Sequence, residues 1–214
     1  MYGGDPQRDY GVGMYEKYIK RLLDILISGV GLVLLCWLFL LIAIIICIDD
    51  PGPVFFTQKR YGRNKAFFQL HKFRTMKVSA PHDVPTDELE NSASYITRAG
   101  RFLRKSSLDE IPQFWDVFIG KMSMIGPRPA LWNQYDLIES RDQSGANSVR
   151  PGLTGWAQVN GRDAMSFKQK TAYDAAYAEA MRKGGMEAFK MDLKCFWMTF
   201  GSVLTHKGFV EGKQ

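Results

Sequence analysis

The sequence is poor in the residues from which metal centres, disulfide frameworks and histidine-based catalytic triads are built. It has only three cysteines and three histidines among 214 residues. They have neither metal-ligand spacing nor a disulfide pattern, and they occur at Cys36, Cys47 and Cys195 and at His71, His82 and His206. Any catalysis should therefore depend on carboxylates and basic side chains.

The chain also lacks visible internal repeats, and its 214 residues suffice for one compact domain and an anchor. The net charge of +6 suits an anionic ligand, an anionic membrane surface or nucleic acid. Nucleic acid is disfavoured, because the aromatic residues are mostly interleaved with apolar ones at core spacing and form no basic stacking platform.

One long uncharged run lies near the N-terminus. Residues 25–48 carry no charge, and a helix of that length reaches about 36 Å, enough to cross a hydrocarbon core of roughly 30 Å. Residues 14–50 are therefore predicted to form a membrane-embedded helix, after a flexible tail at residues 1–13. A cleavable signal peptide is disfavoured, because the run is too long and ends without a small-residue cleavage pattern.

Basic residues flank this run on both sides, at Lys17, Lys20 and Arg21 and at Lys59, Arg60 and Arg63. The positive-inside tendency would place both ends on the cytoplasmic side, which a re-entrant helical hairpin can do and a straight span cannot. A sharp bend in lipid usually needs proline or compensating polar groups, and the middle of this run offers only Cys36-Trp37. Both topologies stay open, with a weak preference for re-entry.

Residues 51–214 have the pattern of a compact cytoplasmic domain, and the fold class predicted for the chain is α+β, mainly helical. Residues 54–58 and 66–71 predict a β-hairpin with aromatic and β-branched strands. An exposed polar loop is expected at residues 79–91. Helices are predicted at about residues 112–120, 130–139, 166–182 and 187–203.

The last predicted helix carries a wide apolar face formed by Phe189, Leu193, Phe196, Trp197 and Phe200, flanked by Lys190 and Lys194. This face can pack into a core. It can also lie in the membrane interface, where Trp and Phe sit at headgroup level and Lys meets anionic lipid. A protein with an embedded anchor holds its active site near the bilayer. This favours the interpretation that such amphipathic helices are interfacial.

Adjacent carboxylates, Asp109 and Glu110, follow three cations in the stretch RFLRKSSLDEIPQ. One account is structural: Ser107 and Glu110 have the spacing of a capping box, and Asp109 would complement the helix dipole. The other is chemical: a helix N-terminus near Arg104 can bind a diphosphate, and an ionised carboxylate there can act as a nucleophile or Mg²⁺ ligand. The two accounts are compatible.

Two further stretches present arginine among glycine and proline. In GPRP, prolines flank Arg128 and favour bidentate phosphate contacts, although a plain turn fits equally well. VRPGLTGWAQVNGR combines Arg150, Gln158 and Arg162 with three glycines, which permit close backbone approach to a ligand. Four loop-like settings for arginine are thereby expected, at Arg104, Arg128, Arg150 and Arg162.

The chain resembles the bacterial sugar transferase family, the small monotopic polyprenol-phosphate phosphoglycosyl transferases. The resemblance rests on the order of KRLLD, the membrane run, FFTQKRYGR, FQLHKFRTM, SSLDEIPQFWDVFIGKMSMIGPRP and VRPGLTGWAQVNGR, and covers residues 14 to about 177. It implies a ping-pong reaction with Mg²⁺, in which Asp109 attacks a UDP-sugar, releases UMP and holds the phosphosugar. A polyprenol phosphate, undecaprenyl phosphate in this expectation, then takes the sugar-phosphate to give a diphosphate-linked lipid sugar.

The resemblance also implies roles for individual residues. Asp109 would be nucleophile and metal ligand, and Glu110 an acid-base or orienting group. Arg104 and Arg128 fall on family positions associated with phosphate binding. Pocket residues are carried over more loosely at Arg150, Gln158 and Arg162.

Family members commonly carry Ser-Pro in the middle of the membrane helix, where this chain has Cys36-Trp37, so the resemblance leaves the re-entrant break open. The expected location is the bacterial inner membrane, with the catalytic domain on the cytoplasmic face. The expected partners are a UDP-sugar, a polyprenol phosphate and membrane lipids. The sugar and the formation of a homodimer are left open. A non-enzymatic, membrane-tethered module that binds anionic ligands through the same arginines is the alternative function.

Overall fold

The computed structural model describes residues 13–81, 92–161 and 165–205. This part is mainly helical with two small sheets, which confirms the predicted fold class at that level. Its elements are α1 (Lys20–Leu34), α2 (Cys36–Asp49), β1 (Phe55–Tyr61), β2 (Phe67–Phe73), α3 (Ser92–Tyr95), α4 (Arg98–Ser106), α5 (Gln113–Phe118), β3 (Ser123–Ile125), α6 (Tyr135–Ser144), β4 (Gly152–Thr154), α7 (Trp156–Gly161), α8 (Phe167–Lys183) and α9 (Gly185–Thr205). Short 3-10 turns lie at Arg63–Lys65, Leu108–Glu110 and Ala146–Ser148, and a π-helical segment, Tyr15–Ile19, precedes α1.

The predicted membrane segment is helical but broken. The break between α1 and α2 is at Leu35, and the pair Tyr15–Leu34 and Cys36–Asp49 is bent by 59°. No single described helix is long and apolar enough to cross a membrane, whereas this bent pair meets both criteria together. The bend forms without proline, and the Leu35 N–H still donates to the Gly31 carbonyl at 2.9 Å.

Both arms of the bent pair pack against the same body of the protein. On α1, a Cβ added at Gly29 would lie 3.3 Å from the Phe118 ring, so glycine allows α5 to approach closely. On α2, the buried side chains of Ile42 and Ile46 join a cluster with Phe73 and two other core residues, Leu103 and Ile111. Each arm therefore buries one face against the body. The outer surface of the pair exposes Leu22, Leu26, Val30, Val33, Trp37, Leu40, Ile44 and Ile48.

Buried polar contacts fix the start of α1 to the body. Lys20 forms an ion pair of 2.7 Å with Asp192 of α9. One carboxylate oxygen of Asp24 accepts from the Ser123 hydroxyl at 3.0 Å and from the Met124 N–H at 2.8 Å. Because these groups are buried, α1 cannot slide without exposing unpaired polar atoms.

The predicted hairpin is confirmed and is longer than predicted. β1 pairs antiparallel with β2, from Phe55 opposite Phe73 to Tyr61 opposite Phe67. Alternation places Phe68 and Leu70 in a core cluster with Val117 and Met122, and it places Lys72 on the same face of β2. The predicted polar loop lies mostly outside the described residues, since positions 82–91 are not among them.

The C-terminal helices are close to the predicted ranges, except that α6 begins at Tyr135 instead of residue 130. Helix α9 packs through Ala188, Asp192 and Cys195, which are all buried. Its aromatic face, by contrast, is exposed: Trp197 retains 64% of its accessible surface and Phe200 54%. The core-packing interpretation of this face is therefore wrong, because small and polar residues fill the core-facing positions.

Candidate functional site

The two adjacent carboxylates lie on the 3-10 turn Leu108–Glu110, between α4 and α5. Ser107, which precedes the turn, adopts a left-handed conformation with φ of 57°, and its side chain forms no cap. The Glu110 side chain instead contacts Lys72 and Arg128. The capping-box interpretation is therefore wrong. The carboxylates also do not lie at the N-terminus of an α-helix, because α5 begins at Gln113, three residues after Glu110.

Cations from two other parts of the chain surround the pair. The Lys72 Nζ lies 2.8 Å from Glu110 Oε1 and 3.4 Å from Asp109 Oδ2. The Arg128 Nη2 lies 3.0 Å from the same Glu110 oxygen. Lys72 is part of β2 and was missed by sequence reasoning. The available signal was a basic residue at the spacing of the buried Phe68 and Leu70, on the inward face of the strand.

The surroundings shift the pKa values of the two carboxylates in opposite directions. Burial alone would raise the pKa of Glu110, but the ion pairs with Lys72 and Arg128 outweigh it and hold that pKa well below its usual range. Burial raises the pKa of Asp109, and the neighbouring Glu110 charge adds to this, against the attraction of Lys72 and Arg104. Glu110 is therefore a fixed anion, and Asp109 is the more basic member of the pair.

Arg104 lies in the last turn of α4, so the prediction of a loop-like setting is wrong for this residue. Its Nε donates to the Thr75 hydroxyl at 2.8 Å, which holds the guanidinium in place. Burial lowers the pKa of Arg104, and the Asp109 charge opposes that shift. The two side chains therefore interact electrostatically, while the phosphate-binding role expected for Arg104 stays a prediction.

The loop Gly126–Pro129, which presents Arg128, is clamped between β3 and β4. The Gly126 N–H donates to the Thr154 carbonyl at 2.8 Å, and the Gly152 N–H donates to the Pro127 carbonyl at 2.9 Å. A Cβ at Gly152 would lie 2.0 Å from the Gly126 nitrogen, so only glycine fits. Gly152 was expected, with Gly155 and Gly161, to let the backbone approach a ligand. At this contact it lets two backbone segments approach each other and so fixes the loop.

Two arginines hold the outer side of the same loop. Arg141 of α6 donates to the Arg128 carbonyl at 3.0 Å, while its Nε and Nη2 bind the buried Asp174 of α8 at 2.9 and 2.6 Å. Arg60 of β1 donates to the Pro129 carbonyl at 3.0 Å. Three elements distant in sequence therefore set the position of the Arg128 backbone.

The remaining predicted site residues have different surroundings. Gln158 lies on α7 beside Gly155, and both polar atoms of its buried amide have no partner in the described part of the chain. Arg150 donates to the Gly120 carbonyl at 3.3 Å and lies among Arg63, Glu16, Arg21 and Asp24; none of its contacts within the described ranges is with the carboxylate pair. Arg162 lies outside the described residues. The roles predicted for these three residues stay predictions.

The donor set fits a magnesium ion that is shared with a substrate. Within the described residues, no group of three or more His, Cys, Asp or Glu side chains could hold a metal. Asp109 Oδ1, however, accepts no hydrogen bond in that part of the chain. Mg²⁺ is commonly bound by one or two carboxylates together with substrate phosphates. Asp109 could therefore supply one ligand next to a bound diphosphate.

The sequence model of bacterial sugar transferases matches residues 15–206. The chain belongs to the bacterial sugar transferase family. The match includes the bent helix pair, the hairpin with Lys72, the carboxylate pair and the Arg128 loop. The site described above therefore lies within the region that the family model matches.

Three relatives are similar to this chain over most of its length. The UDP-glucose:undecaprenyl-phosphate glucose-1-phosphate transferase of Xanthomonas campestris pv. campestris is 40% identical over 172 residues, which is 76% of this chain and 35% of that protein. The uncharacterized sugar transferase EpsL of Bacillus subtilis (strain 168) is 35% identical over 199 residues, or 89% of each chain. The exopolysaccharide production protein ExoY of Sinorhizobium fredii is 34% identical over 188 residues, covering 81% of this chain and 83% of that protein. The chain thus spans about a third of the Xanthomonas relative and most of the other two.

Proposed function

We propose that the protein transfers a sugar-1-phosphate from a UDP-sugar to a polyprenol phosphate, with undecaprenyl phosphate as the lipid carrier. The products would be UMP and a diphosphate-linked lipid sugar, which initiates bacterial glycan assembly. Family membership and the names of the relatives support the reaction class. The observation that carries the proposal is the difference between the two carboxylates. Cations hold Glu110, while Asp109 has a raised pKa and one oxygen that accepts no hydrogen bond from the described residues.

The first step is a displacement at the phosphorus atom that bears the sugar. A carboxylate oxygen of Asp109 forms a bond to this phosphorus, and the bond from phosphorus to the bridging oxygen breaks. UMP leaves with the electron pair, and the sugar-phosphate stays on Asp109 as an acyl phosphate. Lys72, Arg104 and Arg128 surround the place where negative charge develops, and positioned cations are the main catalytic device in phosphoryl transfer.

The second step reverses the roles of the groups. A phosphate oxygen of the polyprenol phosphate attacks the same phosphorus, and the bond to Asp109 breaks. This restores the carboxylate and releases the lipid-linked product. A bound Mg²⁺ would neutralise phosphate charge and orient the diphosphate. Glu110 keeps Lys72 and Arg128 in place through both steps, because it forms an ion pair with each.

We also propose that the bent helix pair enters and leaves the membrane by one face, in the bacterial inner membrane. The support is that α1 and α2 both pack on the body that carries the ionic site, while their outer surfaces are apolar. A straight span would carry one arm, and the polar body attached to it, into the hydrocarbon, where charged groups are costly. The exposed aromatic face of α9 fits contact with the same membrane surface.

Cysteine labelling tests this topology. Met14 before α1 and Val78 after α2 are 77% and 59% exposed. Each is replaced by cysteine in a chain without its native cysteines. A membrane-impermeant maleimide added to intact cells should label neither position, and permeabilisation should expose both. Labelling of Met14→Cys alone in intact cells would show that the segment spans the membrane.

Release of UMP tests the proposed reaction. The protein is incubated with a panel of UDP-sugars, Mg²⁺ and undecaprenyl phosphate. At least one sugar should give UMP, and Asp109→Asn should abolish this while the protein stays folded and membrane-bound. The control is Asp136→Asn, which changes an exposed carboxylate on α6. Binding of UDP-sugars without UMP release from any of them would favour the non-enzymatic binding module.

A further inference from the structure

Arg60 is a half-buried cation whose hydrogen-bond acceptors in the described part of the chain are all neutral. Its Nη1 donates to the Pro129 carbonyl at 3.0 Å and its Nη2 to the Gln58 side-chain carbonyl at 2.6 Å, both neutral acceptors. Its Nε is buried and has no hydrogen-bond partner among the described residues, and none of their carboxylates forms an ion pair with it. Burial lowers the pKa of Arg60 to about 9, and the nearby Arg128 charge contributes to this. Such a group is destabilising unless an anion joins it.

Arg141 shows that an arginine can hold this loop while its own charge is paired with a carboxylate. It too donates to a carbonyl of the Arg128 loop, at 3.0 Å, but its charge is matched by the buried Asp174. Arg60 also donates to a carbonyl of this loop, but it forms no ion pair with a carboxylate of the described residues. Holding the Pro129 carbonyl therefore does not explain a guanidinium at position 60.

The position of Arg60 defines where an anion would bind. The residues whose charges act on it are Arg128, which repels it, and Glu110, which attracts it. Arg60 holds the carbonyl of Pro129, the residue after Arg128, and the Arg128 Nη2 lies 3.0 Å from Glu110 Oε1, so an anion that neutralises Arg60 would lie near Arg128 and the carboxylate pair. A phosphate oxyanion fits this place, because arginine binds phosphate through directed, charge-assisted hydrogen bonds and the Arg60 Nε has a hydrogen to donate.

We propose that Arg60 is a substrate-binding residue that, together with Arg128, holds a phosphate oxyanion of one of the two substrates. This inference rests on the proposed transferase function. The phosphate comes either from the UDP-sugar, as the group that leaves in UMP, or from the polyprenol phosphate. Binding of this anion supplies the missing countercharge, so Arg60 destabilises the empty site and stabilises the occupied one.

Kinetics with Arg60→Gln distinguish the two sources. UMP release is measured while the UDP-sugar and the polyprenol phosphate are varied in turn. The KM for the substrate whose phosphate Arg60 holds should rise roughly 10- to 100-fold, the range for a lost hydrogen bond to a charged group. Arg60→Lys should recover only part of this, because lysine lacks the Nε donor. Lys59→Gln is the matched control, since it removes an exposed charge from the adjacent position of β1.

A binding measurement separates ligand contact from a purely structural role. UMP should raise the unfolding temperature of the wild type, and this shift should be lost in Arg60→Gln and kept in Lys59→Gln if the nucleotide phosphate is the partner. A raised KM for polyprenol phosphate with an intact UMP shift would assign Arg60 to the lipid phosphate. If neither KM nor the UMP shift changes, the inference is wrong. If the wild type releases no UMP from any sugar, the proposed function fails instead, and the UMP shift still tests Arg60.

Discussion

Removal of the Asp174 carboxylate should destabilise the protein strongly. Arg141 and Asp174 side chains are only 7% and 3% exposed and are joined by two hydrogen bonds. In Asp174→Ala, the Arg141 guanidinium stays buried with its charge unpaired, which costs about 3 to 5 kcal/mol. For a chain of this size the unfolding temperature should fall by roughly 6 to 20 °C. Circular dichroism in detergent measures this.

The double variant Arg141→Met/Asp174→Leu tests the reasoning behind that value. Burial raises the pKa of Asp174 in spite of Arg141, so the ionised carboxylate is disfavoured in the folded state at all pH values above its unfolded pKa. The ion pair is therefore no large net source of stability at neutral pH. The double variant should recover most of the loss, minus about 1 kcal/mol for the hydrogen bond to the Arg128 carbonyl. A double variant as unstable as Asp174→Ala would refute this account.

Two further predictions concern the site and its loop. Lys72→Gln should shift the acidic limb of the pH profile of kcat/KM to higher pH, because Lys72 opposes the burial that raises the pKa of Asp109, and Asp109 attacks only when ionised; an unmoved limb in UMP-release assays would contradict this. Gly152→Ala should lower stability by about 1 to 3 kcal/mol, because its Cβ would lie 2.0 Å from the Gly126 nitrogen. Gly201→Ala should be neutral or slightly stabilising in the same thermal-unfolding assay, because no described atom outside the adjacent helix backbone lies within 4 Å of the added Cβ.

The sequence allowed prediction of the features whose signals are local. The uncharged run, the hairpin and most of the long helices follow from composition and periodicity. Asp109, Glu110 and Arg128 were found because their motifs are short and contiguous, and the structure brings all three together. The resemblance gave Cys36-Trp37, next to Leu35, as the place of a possible break, but the residues there could not show that the helix bends, because none of them forces it. Packing of both arms on the body sets it instead.

Residues that act through tertiary contact were missed or misread. Lys72 and Arg60 read as ordinary polar positions of a hairpin, and their importance depends on what lies opposite each strand face. The aromatic periodicity of α9 indicates an amphipathic helix but does not tell which face is buried. Small residues such as Ala188 and Cys195 fill the core side, while Trp197 points outward. The spacing of apolar residues identifies the most hydrophobic face of a helix. Burial also depends on how closely the neighbouring helix approaches.

Detection of a phosphosugar on Asp109 tests the proposed mechanism most directly. The protein is incubated with Mg²⁺ and a UDP-sugar that supports UMP release, without polyprenol phosphate, and analysed by intact-protein and peptide mass spectrometry. The wild type should gain the mass of one phosphosugar on the peptide that contains Asp109. Added polyprenol phosphate should remove it, and Asp109→Asn should never acquire it. Turnover that requires both substrates at once, with no adduct on the wild type under any of these conditions, would contradict the covalent mechanism.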